Sequence, residues 1–224
     1  MTRKKDLSSS DALKAAGSDS QRWRWDLSYS RGGSWKLNMP RPLHLPKGSR
    51  VLEIGCGNGK TLSEIKCEGC ELYAIDSSKK AVELCNHLIS SKGIKADVRE
   101  CDARSLPFRK GFFDFVIVRH VLENLLEKDR EKVVSEVHRV LKKEGCAIVR
   151  VFSRNDMRYG KGHEVEPHSF LHGNRLLYHY FSEQELRELF SGFEEKELLA
   201  DCWNVDYSDK CFKREVFDAV FLKR

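Results

Sequence analysis

Short apolar runs alternate with amphipathic stretches along most of the chain. Five of these runs have the length and the β-branched or aromatic content of buried strands. Between them, residues 79–91 and 127–142 place their apolar side chains at helical spacing. This alternation predicts a single α/β domain on a doubly wound, mostly parallel sheet. The predicted strands are Val51–Ile54, Glu71–Ile75, Ala96–Glu100, Phe112–Val118 and Cys146–Phe152.

Two segments depart from this pattern. Residues 21–46 hold three tryptophans with a tyrosine among them, a density that predicts a folded aromatic lid over the sheet edge, over a substrate pocket, or over both. Residues 153–181 have no sustained period and are rich in glycine and histidine. A long excursion of this kind inside a compact domain is usually functional or disordered, and we expect an insertion that caps the substrate.

The positive charge is concentrated near the start of the chain. The 224 residues carry a net charge of +6, and residues 1–50 contain eleven basic side chains against four aspartates. Such a segment attracts nucleic acid or acidic small molecules, or it is a solvated tail. Residues 1–20 are also rich in serine, so we expect them to be flexible and residues 21–224 to form the domain.

Composition excludes several classes of protein. No apolar stretch approaches the roughly 20 residues of a membrane helix, and the basic start is not a signal region, so a cytoplasmic protein without membrane contact is expected. Several of the eight cysteines lie in predicted elements and are expected to be reduced. Cys67 and Cys70 form one C-x-x-C pair, which favours a loop over a zinc site. Pro167 and Gly173 shorten any helix that would align His168 and His172, so no metal is expected.

The stretch Val51–Gly59 ends a strand and breaks into three alternating glycines. A turn of this kind brings a ligand against bare backbone and the N–H groups of a helix start. A dinucleotide turn needs its third glycine one position later, and a nucleoside-triphosphate loop needs a glycine in place of Ile54. Glu53 would also repel bound phosphates. The turn therefore favours a ligand that carries a cation or hydroxyl groups.

The sequence Glu53-Ile-Gly-Cys-Gly-Asn-Gly59 resembles the first motif of class I S-adenosylmethionine-dependent methyltransferases. The resemblance covers residues 50–152, and Phe113-Asp-Phe115 is similar to the family's entry into the fourth strand. It implies a Rossmann-like, doubly wound, mostly parallel sheet of seven strands with helices on both faces. Residues 193–199 and 215–222 are expected to be the two closing strands, and the last strand is antiparallel. It also implies S-adenosylmethionine as cofactor and S-adenosylhomocysteine as product. Residues 178–190 resemble, more weakly, methyltransferases of the tellurite-resistance type.

The resemblance implies a cofactor site at successive strand ends. Asp76 stands where the family binds ribose hydroxyls, although an aspartate here can also simply cap a helix. Asp102 stands where an acid contacts the adenine amino group, although alone it would be an ordinary turn residue. Trp35 belongs to the segment that folds over the cofactor. The implied cofactor-binding residues are Glu53, Gly55, Cys56, Gly57, Asp76, Ser77, Asp102, Ala103, Arg119 and Trp35.

Candidates for catalysis lie after the fourth strand and in the insertion. Arg119 and His120 follow that strand directly, so both are expected to point toward the reaction centre. His120 is a candidate base, and a structural histidine is the alternative, because many methyl transfers need no base. Tyr178 and His179 are further candidates on the substrate side.

Three functions follow from these features. The first is methyl transfer to a small-molecule nucleophile under the lid, and the second is methylation of tRNA or another RNA, which the basic start would support. The third is a cofactor-binding scaffold without catalysis, which the presence of Gly57 and Asp76 disfavours. No separate RNA-binding module is recognisable and the excess positive charge is confined to residues 1–50, so the small-molecule acceptor is the expectation.

Overall fold

The computed structural model of the protein describes residues 8–32, 42–207 and 210–224. No helix within these ranges is long and apolar enough to cross a membrane. The helices are α1 (Ser9–Ala16), α2 (Ser18–Ser30), α3 (Lys60–Glu64), α4 (Lys79–Ser91), α5 (Glu127–Val140) and α6 (Glu183–Leu189), with a 3₁₀ turn at Leu122–Asn124. The strands are β1 (Arg50–Ile54), β2 (Glu71–Asp76), β3 (Asp97–Glu100), β4 (Phe113–Arg119), β5 (Leu141–Phe152), β6 (His163–Glu166), β7 (Ser169–Leu171), β8 (Leu177–His179), β9 (Glu194–Tyr207) and β10 (Lys210–Leu222).

The main sheet has seven strands in the order β3-β2-β1-β4-β5-β10-β9. Strand β1 pairs in parallel with both β2 and β4, and β4 pairs in parallel with β5. Strand β10 runs antiparallel to its neighbours β5 and β9. The predicted sheet, mostly parallel with an antiparallel last strand, is confirmed. The strand order reverses between β1 and β4, which in an open α/β sheet is where ligands bind.

Helices cover both faces of the sheet because strand residues alternate in direction. Leu52 of β1 lies in the same buried cluster as Val137 of α5 and Leu186 of α6. Ala74 of β2 faces the other way and packs in a cluster with Leu62 of α3. Each large apolar side chain buried in this way contributes about 1.5–3 kcal/mol. The two clusters fix the strand ends that carry the site.

The insertion at 153–181 contains a second, smaller sheet. Its three short strands are antiparallel in the order β6-β7-β8. This sheet packs on α1, where Ala12 is completely buried in a cluster with Leu171 and Leu177. Strands of three or four residues are too short to show a sustained period, which explains why the sequence revealed no element here.

The sequence predicts a flexible tail through residue 20, but residues 9–16 and 18–30 are helical. The Ser8 hydroxyl caps α1 by accepting a hydrogen bond from the Asp11 backbone N–H at 3.2 Å. The serines that made this segment look disordered serve here as helix-terminal residues. The prediction is therefore corrected for the described part of the tail.

The closing hairpin is longer than the predicted strands at 193–199 and 215–222. Strands β9 and β10 span 14 and 13 residues. The strand predicted from the sequence ends at Leu199 because the outer half of β9 is polar and largely exposed. Part of its order comes from Arg150 of β5, which is 3% exposed and bonds Asp201 and Asp218 of the hairpin at 2.7 and 2.5 Å.

Cys67 and Cys70 are paired as a disulfide in the loop before β2. The loop was predicted from the sequence, but the cysteines were expected to be reduced. Gly69, with a φ of +66°, turns the backbone so that the two Cα atoms lie 5.7 Å apart. That separation is within the range of disulfides. Cys56 and Cys85 are buried free thiols, as expected.

Candidate active site

A cavity of about 230 Å³ lies where β1, β2 and β4 end. The glycine turn after β1 forms one side, and α2 forms the other with Trp25 and Tyr29. Trp35 lies outside the described residues. The other nine predicted cofactor-binding residues all line the cavity, namely Glu53, Gly55, Cys56, Gly57, Asp76, Ser77, Asp102, Ala103 and Arg119.

The turn after β1 needs glycine for two reasons. Gly55 and Gly57 have φ angles of +73° and +52°, a region that other residues enter only with strain. A Cβ added at Gly55 would lie 2.3 Å from Cγ2 of Val121, and one at Gly57 would lie 2.6 Å from the Tyr29 hydroxyl. Both distances are shorter than van der Waals contact, so bare backbone is required at this wall of the cavity.

Glu53 and Arg119 bring opposite, incompletely satisfied charges to the cavity. Within the described ranges, Oε2 of Glu53 and Nε of Arg119 are buried without hydrogen-bond partners. Burial raises the pKa of Glu53 well above its usual value and lowers the pKa of Arg119. A buried polar atom without a partner is costly, and a charged ligand group removes that cost. The two side chains therefore fit a zwitterion, with an ammonium group at Glu53 and a carboxylate at Arg119.

Asp76 is oriented by the backbone around it. Its Oδ2 accepts a hydrogen bond from the Gly57 N–H and its Oδ1 accepts one from the Ser78 N–H, both at 2.9 Å. Burial nevertheless raises the pKa of Asp76 to about 6, against the lowering effect of these bonds. A carboxylate has acceptor sites beyond these two, so it can also accept hydrogen bonds from ribose hydroxyls.

Asp102 is at the cavity but is already engaged. Arg104 donates to its carboxylate from Nη2 at 2.6 Å, and hydrogen bonding from Arg104 lowers the pKa of Asp102. Arg104 also donates to Asp129 at 3.1 Å, and Asp129 accepts from the Ser18 hydroxyl of α2 at 2.6 Å. The side chain expected near an adenine amino group therefore also belongs to a network that holds α2.

Comparison with known proteins follows from this geometry. A family model described as a methyltransferase domain matches residues 52–149, which contain the glycine turn and the ends of β1 to β4. The chain is 25% identical to a SAM-dependent methyltransferase of Methanosarcina mazei, with a TM-score of 0.66 and coverage of 80% of this chain and 94% of that one. The chain belongs to the class I S-adenosylmethionine-dependent methyltransferases.

The curated relatives act on different acceptors. Over 165 residues the chain is 31% identical to the human tRNA N(3)-cytidine methyltransferase METTL2B, covering 68% of this chain and 44% of the relative. Over 134 residues it is 28% identical to the ubiquinone/menaquinone biosynthesis C-methyltransferase UbiE of Geotalea uraniireducens, covering 57% of this chain and 55% of the relative. The chain thus spans about half the length of these curated relatives.

The cofactor of this methyltransferase is S-adenosylmethionine, and the residues present fit it. Glu53 and Arg119 suit the amino and carboxylate groups of its methionine part, as their unpartnered atoms indicate. Asp76 suits its ribose hydroxyls. When bound, the cofactor supplies an electrophilic methyl group on a sulfonium. The chain itself supplies the bare turn, the charges that orient the ligand and the cover of α2.

Asp26 is one of the residues that hold helix α2 over this site. It accepts hydrogen bonds from the Ser78 hydroxyl at 2.5 Å and from the Lys80 N–H at 3.0 Å. It therefore adds a second cap to the start of α4, whose own cap is Ser78. Trp25 and Tyr29, which line the cavity, lie on the same helix as Asp26.

His120 lines the cavity next to Arg119 and is held in a defined orientation. Its Nδ1 lies 2.6 Å from Oε1 of Glu123, a carboxylate that is completely buried. Its backbone has a φ of +57°, and its carbonyl accepts a hydrogen bond from Asn124 Nδ2 at 2.8 Å. A left-handed backbone at a residue other than glycine is strained and is often found at functional sites.

The predictions for Tyr178 and His179 are corrected by their positions. His179 is 1% exposed, and its two nitrogens contact the Ser169 hydroxyl at 2.7 Å and Glu185 Oε1 at 2.6 Å. Both contacts are structural, so this side chain does not reach the cavity. Tyr178 is also outside the cavity lining, buried in the aromatic cluster that contains Phe152.

Sequence reasoning missed three residues that shape the site. Glu123 was hidden because a glutamate that follows a histidine by three residues usually lies on a solvated surface. Asp26 is one charge among many in the basic segment, and Arg104 lies in a loop, so the sequence alone singles out neither residue. The spacing of His120 and Glu123 was the available signal, since residues three apart can meet within one turn.

Proposed function

We propose that the protein transfers the methyl group of S-adenosylmethionine to an acceptor whose reacting atom carries a proton, and that His120 takes this proton. The observation that supports the proposal is the pair of His120 and the buried Glu123 at the wall of the cofactor cavity. The pair lies directly after Arg119, beside the group assigned to the cofactor's carboxylate.

The geometry of the pair suits a general base. A hydroxyl or a ring N–H becomes a good nucleophile only when its proton leaves, and histidine is the side chain that most often accepts protons near neutral pH. A hydrogen bond from Nδ1 to Glu123 makes Nε2 the basic nitrogen of the neutral ring. The buried carboxylate also stabilises the positive charge that the ring acquires.

The acceptor that we place first is a small-molecule nucleophile. Trp25 and Tyr29 of α2 close the cavity from above, and the contact of Asp26 with α4 holds them there. A cavity of about 230 Å³ that α2 covers on one side limits the access of bulk water and aligns a small acceptor with the methyl group.

The second candidate is a base of tRNA. The observation that favours it is the match to relatives named as tRNA methyltransferases, among them the human enzyme at 31% identity. A base that is turned out of its stack presents the same small planar shape as a free heterocycle. The same His120 and Glu123 would then act on that base.

The experiment measures transfer of tritiated methyl groups from S-adenosylmethionine. Small phenols, small nitrogen heterocycles and unfractionated tRNA are offered separately, and calorimetry measures cofactor binding. We expect His120→Asn to lower kcat by about 10²- to 10⁴-fold with little change in cofactor affinity. His87→Asn, at an exposed position of α4 outside the cavity, is the matched control.

Two results would contradict the proposal in different ways. A wild-type protein that does not bind S-adenosylmethionine in the calorimeter would remove the activity altogether. A His120→Asn variant with the wild-type kcat and pH profile would leave methyl transfer intact and remove the base.

A further inference from the structure

Two arginines near the insertion, Arg24 and Arg175, form no ion pair within residues 8–32, 42–207 and 210–224. Within these ranges, Nε of Arg24 is also buried without a hydrogen-bond partner. Arg104 and Arg139, by contrast, each pair with a carboxylate. Guanidinium groups without a carboxylate are the groups that proteins use to bind phosphate in a bidentate manner.

The fold brings Arg24 and Arg175 together through Gln21. The Gln21 side chain accepts a hydrogen bond from the Leu177 N–H at 2.9 Å and donates one to the Arg175 carbonyl at 3.2 Å. Arg24 follows Gln21 by three residues on α2 and so lies on the same flank of the helix. The pKa of Arg24 is lowered by burial and by the charge of Arg175, which places the two guanidiniums within electrostatic range.

The backbone of Arg175 is held in a strained, left-handed conformation. Its φ is +59°, and its N–H donates to the His172 carbonyl at 2.7 Å in a tight turn. Arg24 and Arg175 therefore bring two like charges close together, and an anionic ligand would stabilise them.

An exposed tryptophan lies beside these arginines. Trp23 is 60% exposed on the outer side of α2, and the Arg24 guanidinium lies 5.7 Å from the centre of its ring. An exposed aromatic face beside a cation offers a surface on which a nucleic-acid base can stack.

We propose that Arg24 and Arg175 form a phosphate-binding strip for the methyl acceptor, with Trp23 as a stacking surface at its end. The proposal rests on the proposed methyl transfer. The strip adjoins the reaction site because Gln21, which contacts Arg175, and Trp25 both line the cavity. A phosphate held by the strip leaves the group attached to it at the mouth of the cavity. The phosphate belongs either to an RNA backbone or to a small phosphorylated acceptor such as a mononucleotide.

The test compares two double variants of equal charge. Arg24→Gln with Arg175→Gln removes two cations of the strip. Lys95→Gln with Lys143→Gln removes two exposed cations that form no ion pair in the described residues, far along the chain from the strip. The probes are a short single-stranded RNA, followed by fluorescence anisotropy over a range of salt concentrations, and cytidine monophosphate, followed by calorimetry.

We expect the strip variant to bind its probe at least tenfold more weakly than the control variant. If RNA is the source of the phosphate, the slope of log affinity against log salt falls by about 0.7 for each phosphate that the variant no longer neutralises. If the source is a small acceptor, the mononucleotide loses affinity and RNA binding is absent or equal in both variants. Restoring the charge with lysine at both positions recovers only part of the affinity, because lysine lacks the bidentate geometry.

The strip proposal is overturned if the two double variants bind both probes equally well, or if the wild-type protein binds neither. Cofactor binding is measured on the same samples and serves two purposes. Unchanged affinity for S-adenosylmethionine in the strip variant shows that it is folded. Absence of cofactor binding in the wild type would overturn the proposed function separately, whatever the RNA and mononucleotide data show.

Discussion

The two ends of the cavity are constructed differently. At the cofactor end, Glu53, Gly57 and Asp76 follow successive strands and are positioned by their own turns, as the bond from Gly57 to Asp76 shows. At the opposite end, α2 and the turn that holds Glu123 come from segments far apart in the chain, and Gln21 of α2 is bonded to the insertion. The first end is therefore built from a compact part of the sequence, whereas the other depends on long-range contacts.

The two ends of the cavity are also expected to differ in how strongly their contacts stabilise the folded protein. Gly55 of the glycine turn is in close contact with Val121, which packs against the main core, so a side chain at this position has little room. Helix α2 is held mainly by polar contacts such as those of Asp26 and Ser18, which are only partly buried. We expect changes at the cofactor end to cost more than changes at the contacts of α2, and four variants test this order.

Gly55→Ala is expected to have the largest effect. The added methyl group would lie 2.3 Å from Val121, and the backbone has a φ of +73°. The left-handed backbone costs about 1–2 kcal/mol and the steric overlap about 1–3 kcal/mol more. Urea unfolding should show this loss in the free energy of unfolding, and calorimetry should show loss of cofactor binding.

Gly69→Ala is the matched control for this variant. Gly69 has a similar φ of +66°, but a Cβ there would meet nothing within 4 Å. It should show the backbone cost alone and keep its affinity for S-adenosylmethionine. If both variants lose the same free energy of unfolding, close packing around the glycine turn is not what requires Gly55.

Asp76→Asn tests the ribose contact and is expected to have an effect of intermediate size. Loss of hydrogen bonds to a charged acceptor should weaken cofactor binding by about 2 kcal/mol. Because the pKa of Asp76 is raised to about 6, wild-type affinity should increase as the pH rises through about 6, where the carboxylate forms. Calorimetry across this range should show the increase in the wild type and a flatter profile in the variant.

The raised pKa of Asp76 has the opposite effect on the free energy of unfolding when no cofactor is bound. A carboxyl group whose pKa is raised in the folded state favours folding most at low pH, below its unfolded value of about 3.9. Its contribution is lost as the pH rises through about 6. The stability of the wild type relative to Asp76→Asn, measured by urea unfolding, should therefore decrease between these values. A constant difference would show that Asp76 is not buried as described.

Asp26→Ala tests the cap that joins α2 to α4. Loss of an N-terminal cap costs about 0.5–2 kcal/mol. The hydrogen bond from Ser78 and then that from the Lys80 backbone lower the pKa of Asp26, so its stabilising contribution is present above about pH 4 and is lost as the pH falls further. Urea unfolding at neutral and acidic pH measures both effects. Asp11→Ala, at an exposed position of α1, should be milder and should leave cofactor affinity unchanged.

Arg22→Gln should have the smallest effect. Arg22 of α2 pairs with Glu100 of β3, but the two side chains are 55% and 37% exposed. Exposed pairs of this type contribute at most about 1 kcal/mol and weaken in salt. Thermal unfolding at low and high ionic strength measures this difference. A loss larger than that of Asp26→Ala would reverse the expected ranking of the contacts that hold α2.

Sequence information was sufficient where structure is local. The mostly parallel sheet and the residues that line the cavity could be predicted because a strand, an acid and a glycine turn follow one another within a few positions, as at Glu53 and Gly57. The same locality identified Asp76 from its position at the end of β2.

Elsewhere the deciding contacts were not visible in the sequence. His179 looked like a catalytic candidate because nothing in the chain indicates that Ser169 and Glu185 enclose its ring. The helical state of α1 depends on burial of Ala12 against Leu171, and small residues among serines carry no strong pattern of their own. Predictions failed where the partner was far away in the chain.

The contacts of Gln21 affect how this protein can change during evolution. Gln21 joins α2 to the insertion through Leu177 and Arg175, residues more than 150 positions later. The first helices and the insertion therefore form one unit that the chain encodes in two pieces. A recombinant that exchanged only one piece would leave the contact face of the other unmatched. New acceptor preferences on this sheet would have to evolve by paired changes in both pieces, while the glycine turn remained as it is.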